Sequence, residues 1–172
     1  MFGGPEFVCV KVCPTDFFND SMIGFREMKQ TYTYLIKKLV SHNVGIINIS
    51  RRGADFPRST SDFYSLFPRP EGYPVPKGYD PVLDFGPFVK YPGSPSMLMA
   101  NHDYTVEEAD RLIKEDKLDL ITFGRPFIYN PDVIFRIRHG ISFAKNDRGN
   151  EIFYGPYQTP DEGYNDWPAA AL

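Results

Sequence analysis

The stretch LDLITFGRPFIYNPD, residues 118–132, decides how the chain is read. Leu118, Leu120, Ile121 and Phe123 form an apolar run too short for a helix and too apolar for a half-exposed strand, the pattern of a parallel strand covered on both faces. Gly124 then lets backbone approach an anion with no Cβ in the way, and Arg125 supplies a planar fork that matches phosphate. Asn130 and Pro131 read as an N-cap and a first-turn proline, with Asp132 suited to the positive end of a helix dipole. Strand, glycine turn with arginine and capped helix together outline a phosphate site. Read alone, the same residues serve equally as a plain turn and a surface ion-pair partner.

Working outward, the same strand-then-helix unit recurs. Upstream of residue 118, SMLMA (residues 96–100) is a strand, followed by Asn101, His102, Asp103 and Tyr104. Thr105 and Glu108 then form a capping box that opens a helix running to about Asp116. Earlier, VGIINIS (residues 44–50) is a buried strand ending at Arg51 and Arg52. A helix over residues 25–41 precedes it, with Phe25, Met28, Tyr32, Leu35, Ile36 and Leu39 at helical spacing and Arg26, Lys29, Lys37 and Lys38 facing away. Asn19, Asp20 and Ser21 compete to cap it, and Asn43 ends it. The first strand, FVCVKV over residues 7–12, puts Val8, Val10 and Val12 on one face and Cys9, Lys11 and Cys13 on the other. Lysine is an unusual choice for the inner side of a strand.

Four βα units in succession predict an α/β fold with a parallel sheet and right-handed crossovers. In such folds the chemistry sits at the carboxyl ends of the strands. Here those ends are Pro14 and Thr15, Ser50 to Arg52, Asn101 to Asp103, and Gly124 with Arg125. Two segments stand outside the alternation. Residues 53–92 lose periodicity and are rich in Pro, Gly and aromatic residues, a loop that reads as a lid or binding wall, with a helical turn over residues 85–89. Residues 141–172, after a helix over residues 131–138 stopped by Gly140, form an irregular aromatic tail.

At 172 residues, 42% hydrophobic and 16% aromatic, the sequence suits one soluble domain with one core, and a cytoplasmic address is the simplest expectation. A net charge of −3 carries no basic footprint for nucleic acid. No apolar run approaches the roughly 20 residues that span a bilayer. Cys9 and Cys13 on one strand lie about 13 Å apart at about 3.3 Å per residue, too far for a disulfide. Two thiols with no histidine nearby give no zinc site, so they are read as plain buried or pore-facing thiols.

Taken together, FGRPFIYNPD, MANHDYTVEEAD, and the tail motifs FYGPY and EGYNDWP resemble the carboxyl-terminal half of the old yellow enzymes, FMN-dependent ene-reductases built on a (β/α)8 barrel. The likeness extends more loosely through VCVKVCP and QTYTYLIKKLV, and ISRRGADF looks most like the fungal branch that acts on chanoclavine aldehyde. The resemblance implies half of a TIM barrel, FMN as cofactor and NADPH as reductant. It places Gly124 and Arg125 on the FMN phosphate, with Asn101, His102 and Asp103 in the same cradle, where the family's usual glycine is absent. It places Lys11 where the family commonly has an arginine beside the flavin N1 and C2 oxygen; read without the resemblance, Lys11 snorkels from the sheet. Phe153 and Tyr154 fall on a pair near flavin and substrate, Tyr154 with Lys11 being the catalytic candidates.

By the same resemblance the chain begins at the family's fifth strand, and the groups that grip the substrate carbonyl and the proton-donating tyrosine have no counterpart. A complete barrel needs eight strands and about 250 residues. A half-barrel would expose two sheet edges and an inner face, so pairing is expected, with a second copy or a separate amino-terminal half. Two functions follow. One is FMN-dependent reduction or isomerisation of an enal or enone in fungal alkaloid or related metabolism. The other is a flavin-free half-barrel acting as a cofactor-independent isomerase or cyclase, a partner subunit, or an inactive truncation, with Lys11, His102 or Tyr154 as acid–base candidates.

Overall fold

In the computed structural model the alternating segments become a four-stranded, wholly parallel sheet in sequential order. Residues 3–18, 21–54, 69–149, 157–159 and 161–170 are described. The elements are β1 (Cys9–Val12), α1 (Phe25–Ser41), β2 (Ile46–Ser50), α2 (Pro81–Phe85), β3 (Met97–Asn101), α3 (Val106–Lys114), β4 (Leu120–Thr122), α4 (Arg125–Tyr129) and α5 (Val133–His139). They fall into two compact units, one built on the elements up to Thr122 and one on those from Phe123 onward.

Strand alternation sorts the first unit's sheet into two chemically different faces. Val10, Ile47 and Leu98 pair in one row, and Val12, Ile49, Ala100 and Ile121 in the next. This face joins one core with Met28, Ile36 and Val40 of α1, Val82 and Phe85 of α2, and Leu112 of α3. Ile36, Ile47, Ile49 and Phe85 are fully buried, each such side chain contributing about 1.5–3 kcal/mol by leaving water. The opposite face has a row of Lys11, Asn48, Met99 and Leu120, flanked by Cys9, Ile46 and Met97 on one side and Ser50, Asn101 and Thr122 on the other. Cys9, Lys11, Met97 and Thr122 on this face are exposed. Both cysteines are free thiols, Cys9 exposed and Cys13 half-buried.

The strand at residues 118–123 differs from expectation. Only Leu120–Thr122 pairs, and its residues are half-buried to exposed, although Leu118 just before it is buried. β4 ends the sheet and has one strand neighbour, β3. In α1 the buried stripe runs through Met28, Ile36 and Val40, while Leu35 is 37% exposed. Lys29, expected to face away, pairs with Asp84 of α2. The cap position of α1 is Gly24 with no side-chain bond. The helical turn expected at residues 85–89 starts earlier: Asp80 caps α2 by accepting from the N–H groups of Val82 and Leu83, and a 3-10 turn, Gly86–Phe88, continues it.

In the second unit the anticipated Asn130 cap is not formed. Asn130 is wholly buried between α4 and the tail: its Nδ2 donates to Pro126 O (3.1 Å) and Ala144 O (3.3 Å), and its Oδ1 accepts from Ala144 N (2.7 Å). With that side chain engaged, the helix starts later, at Val133, with Asp132 in the cap position. Asp132 turns its carboxylate to Arg136 Nε and to the Ala170 N–H, both at 2.8 Å. Gly140 ends α5 in the left-handed region at φ 64, as its sequence position predicts. In the tail Trp167 donates to Gly163 O at 2.8 Å and packs edge-on to Tyr129.

Candidate functional site

The carboxyl ends of β1, β2 and β3 carry a dense set of polar contacts within the first unit. After β1, Asp16 accepts from the backbone N–H groups of Phe17 and Phe18 and pairs with Arg52. Thr15 Oγ1 donates to Arg52 O at 2.7 Å, and Arg69 donates to Thr15 O at 2.6 Å. Gly53 closes this corner at φ +80; a Cβ there would lie 2.0 Å from Thr15 O, so only glycine fits. Burial pushes Arg69 below its ordinary pKa.

After β3 the chain makes a turn through two consecutive left-handed residues that are not glycine, His102 at φ 85 and Asp103 at φ 56. Such conformations cost of order 1–2 kcal/mol per residue unless the surroundings hold them. Arg51, only 8% exposed, supplies the hold. Its Nε donates to His102 O at 2.8 Å and its Nη2 to Asp103 O, while Nη1 and Nη2 pair bidentately with Glu108 at 2.7 and 2.9 Å. The guanidinium carbon lies 3.5 Å from the centroid of the Tyr104 ring. Burial opposes the Arg51 charge, but the bond to Glu108 prevails and holds its pKa above the ordinary value. Burial, then the nearby Asp80 charge, raises the Tyr104 hydroxyl, and burial also raises Asp80. Of the capping box only half forms: Thr105 accepts from the Glu108 N–H, but the Glu108 carboxylate goes to Arg51 instead of returning to the cap.

The predicted residues are thus distributed as follows. Lys11 is exposed on the inner face of the sheet and makes no ion pair among the described residues. Asn101 ends β3, and His102 and Asp103 form the left-handed turn after it. In the second unit Gly124 precedes α4 with φ −93; a Cβ there would meet nothing within 4 Å, so nothing among the described residues requires glycine. Arg125 opens α4. Phe153 and Tyr154 lie outside the described residues. Sequence reasoning missed Arg51 as an organiser, although its position at a strand end, three residues after Asn48, was visible; it also missed Asn48. Asn48 is 7% exposed, and its Oδ1, like that of Asn101, is buried without a hydrogen-bond donor. Among the described residues no group of three His, Cys, Asp or Glu side chains is placed to hold a metal ion, and no helix is long and apolar enough to cross a membrane.

A parallel sheet with its helices packed on one face and an open polar row on the other is half of a (β/α)8 barrel. Solved structures agree in fold: the old yellow enzyme homologue of Zymomonas mobilis superimposes with a TM-score of 0.64 at 23% identity, covering 96% of this chain and 39% of that one. No family model matches. An NADP-dependent oxidoreductase of Aspergillus flavus is 31% identical over 170 residues, 96% of this chain and 40% of the relative. A chanoclavine-I aldehyde reductase of Penicillium roqueforti is 36% identical over 92 residues, 52% of this chain and 23% of the relative. A protein of Claviceps fusiformis named a probable inactive dehydrogenase is 37% identical over 92 residues, 51% of this chain and 23% of the relative. These relatives and neighbours bear out the resemblance to a carboxyl-terminal fragment of the old yellow enzymes, with ergot-alkaloid proteins among the relatives. The chain spans well under half the length of these relatives.

Proposed function

We propose that the chain is part of an FMN-binding oxidoreductase acting on an α,β-unsaturated carbonyl, reducing it or isomerising its double bond, in fungal alkaloid or related secondary metabolism. The carrying observation is the inner-face row of the sheet, where exposed Lys11 lies in register beside Asn48, whose buried carboxamide oxygen has no donor among the described residues. FMN, when bound, supplies hydride transfer from NADPH to the β-carbon of an enal or enone. Lys11 offers a fixed positive charge for the pyrimidine edge of the ring, where negative charge develops on reduction. The Asn101–His102–Asp103 turn offers backbone N–H groups to the phosphate. In the second unit Gly124 and Arg125 are read as phosphate ligands, Arg125 through its planar fork. Phe153 is assigned to flavin contact and Tyr154 to acid–base work by the family resemblance.

A sheet that ends at β1 and β4 among the described residues, and the exposed face bearing Cys9, Lys11 and Met97, support a paired form, either a homodimer or a complex with a separate amino-terminal half. Light scattering on the eluting protein tests this; a monomer at all micromolar concentrations contradicts it. The enzymatic reading is tested by reducing the flavin-loaded protein anaerobically with NADPH and adding an enal. Bleaching followed by reoxidation is expected, and bound flavin that neither bleaches nor recovers contradicts it.

A second reading, a flavin-free partner subunit or isomerase, is favoured by the relative named a probable inactive dehydrogenase. Turnover of an enal by colourless protein supports it over the first.

A further inference from the structure

Resting on the reading of the Asn101–Asp103 turn as a phosphate cradle, we propose that Arg51 is the positioning residue that aims the cradle's N–H groups at a phosphomonoester. A peptide unit is planar, so the N–H of residue i+1 points opposite to the C=O of residue i. Arg51 binds the carbonyls of both His102 and Asp103. The N–H groups of Asp103 and Tyr104 are therefore directed away from the guanidinium, side by side, as an anion needs them. Arg51 is not itself the anion's ligand: its fork is paired bidentately with Glu108, it is 8% exposed, and the Tyr104 ring covers it at 3.5 Å.

The arrangement also explains how the turn does without glycine. His102 and Asp103 both sit at positive φ, which L-residues adopt reluctantly, and two bonds from a single rigid guanidinium hold them there. Lysine cannot reproduce the fork, because its ammonium is a point charge on a flexible stem.

The test compares affinities for FMN and for riboflavin, which lacks the phosphate, in wild type, Arg51→Lys, Arg51→Ala and Glu108→Gln. Positioning predicts that both Arg51 variants lose about tenfold in FMN affinity, the worth of one charge-assisted bond, with riboflavin affinity unchanged. Millimolar guanidinium should restore FMN affinity to Arg51→Ala. Glu108→Gln, which leaves both carbonyl bonds possible, should keep the preference. Parallel losses for FMN and riboflavin, or an unchanged ratio, overturn the proposal. If wild type binds neither flavin, the flavin reading fails by itself. Inorganic phosphate is then titrated against the amide resonances of Asp103 and Tyr104; shifts in wild type that vanish in Arg51→Lys uphold the positioning role, and equal behaviour in both overturns it.

Discussion

Replacing Asn130 with alanine removes the side chain that ties α4 to the segment after α5. Asn130 is 0% exposed and makes three hydrogen bonds to backbone, two to Ala144 and one to Pro126. Each is worth about 1 kcal/mol net, and each leaves a backbone group without its partner when lost, so Asn130→Ala should cost about 3 kcal/mol. Asn130→Asp keeps an acceptor for the Ala144 N–H but loses both donations and adds a buried charge, so it should be no better than alanine at neutral pH. Urea unfolding followed by circular dichroism gives the global effect, and hydrogen exchange at the Ala144 amide gives the local one. A loss under about 1 kcal/mol with the Ala144 amide still protected would refute the bridging role and return Asn130 to the cap position that its place before Pro131 suggests.

Further expectations concern the first unit. Asp80 has its folded pKa raised by burial, so the stability it contributes is present in acid and is lost as pH rises through that raised value. Asp80→Asn keeps a capping oxygen and should flatten that part of the stability–pH curve, whereas Asp80→Ala should lose about 1 kcal/mol of cap energy; a steeper curve for Asp80→Asn contradicts this. Gly53→Ala should destabilise by more than the roughly 1 kcal/mol that a compatible alanine would gain, since its φ is +80 and the Cβ meets Thr15 O, and equal melting temperatures would show that the corner opens freely. Lys11→Gln should lower the reduction potential of bound flavin by withdrawing positive charge, measured by equilibration with a redox dye; an unchanged potential places Lys11 away from the ring.

The alternation of strands and helices was legible because it rests on local periodicity. Val10, Val12 and Lys11 fall on the faces that a period of two assigns, and Gly140 stops α5 as expected. What was not legible depends on partners distant in sequence. The Thr105–Glu108 pattern satisfies the capping-box rule, but Arg51, 57 positions away from Glu108, offers the carboxylate two charge-assisted bonds and takes it. Asn130 resembles a cap until Ala144, 14 positions on, claims its carboxamide. The run at residues 118–123 has the composition of a strand covered on both faces, yet only Leu120–Thr122 pairs and these residues are half-buried to exposed. The strand-end rule and the glycine–arginine turn supplied residues 101–103, Gly124 and Arg125 as candidates, and the family resemblance supplied a role for Lys11. Asn48 emerged only from geometry, because one asparagine in an apolar strand has no local signature of an oxygen left without a donor.

The most direct measurement is the absorbance spectrum of the purified chain after incubation with FMN and gel filtration. A flavin band that elutes with a dimer is expected, and substituting Lys11 should weaken it. A colourless protein that ignores added FMN would contradict the flavin reading and leave the chain's role to the flavin-free alternative.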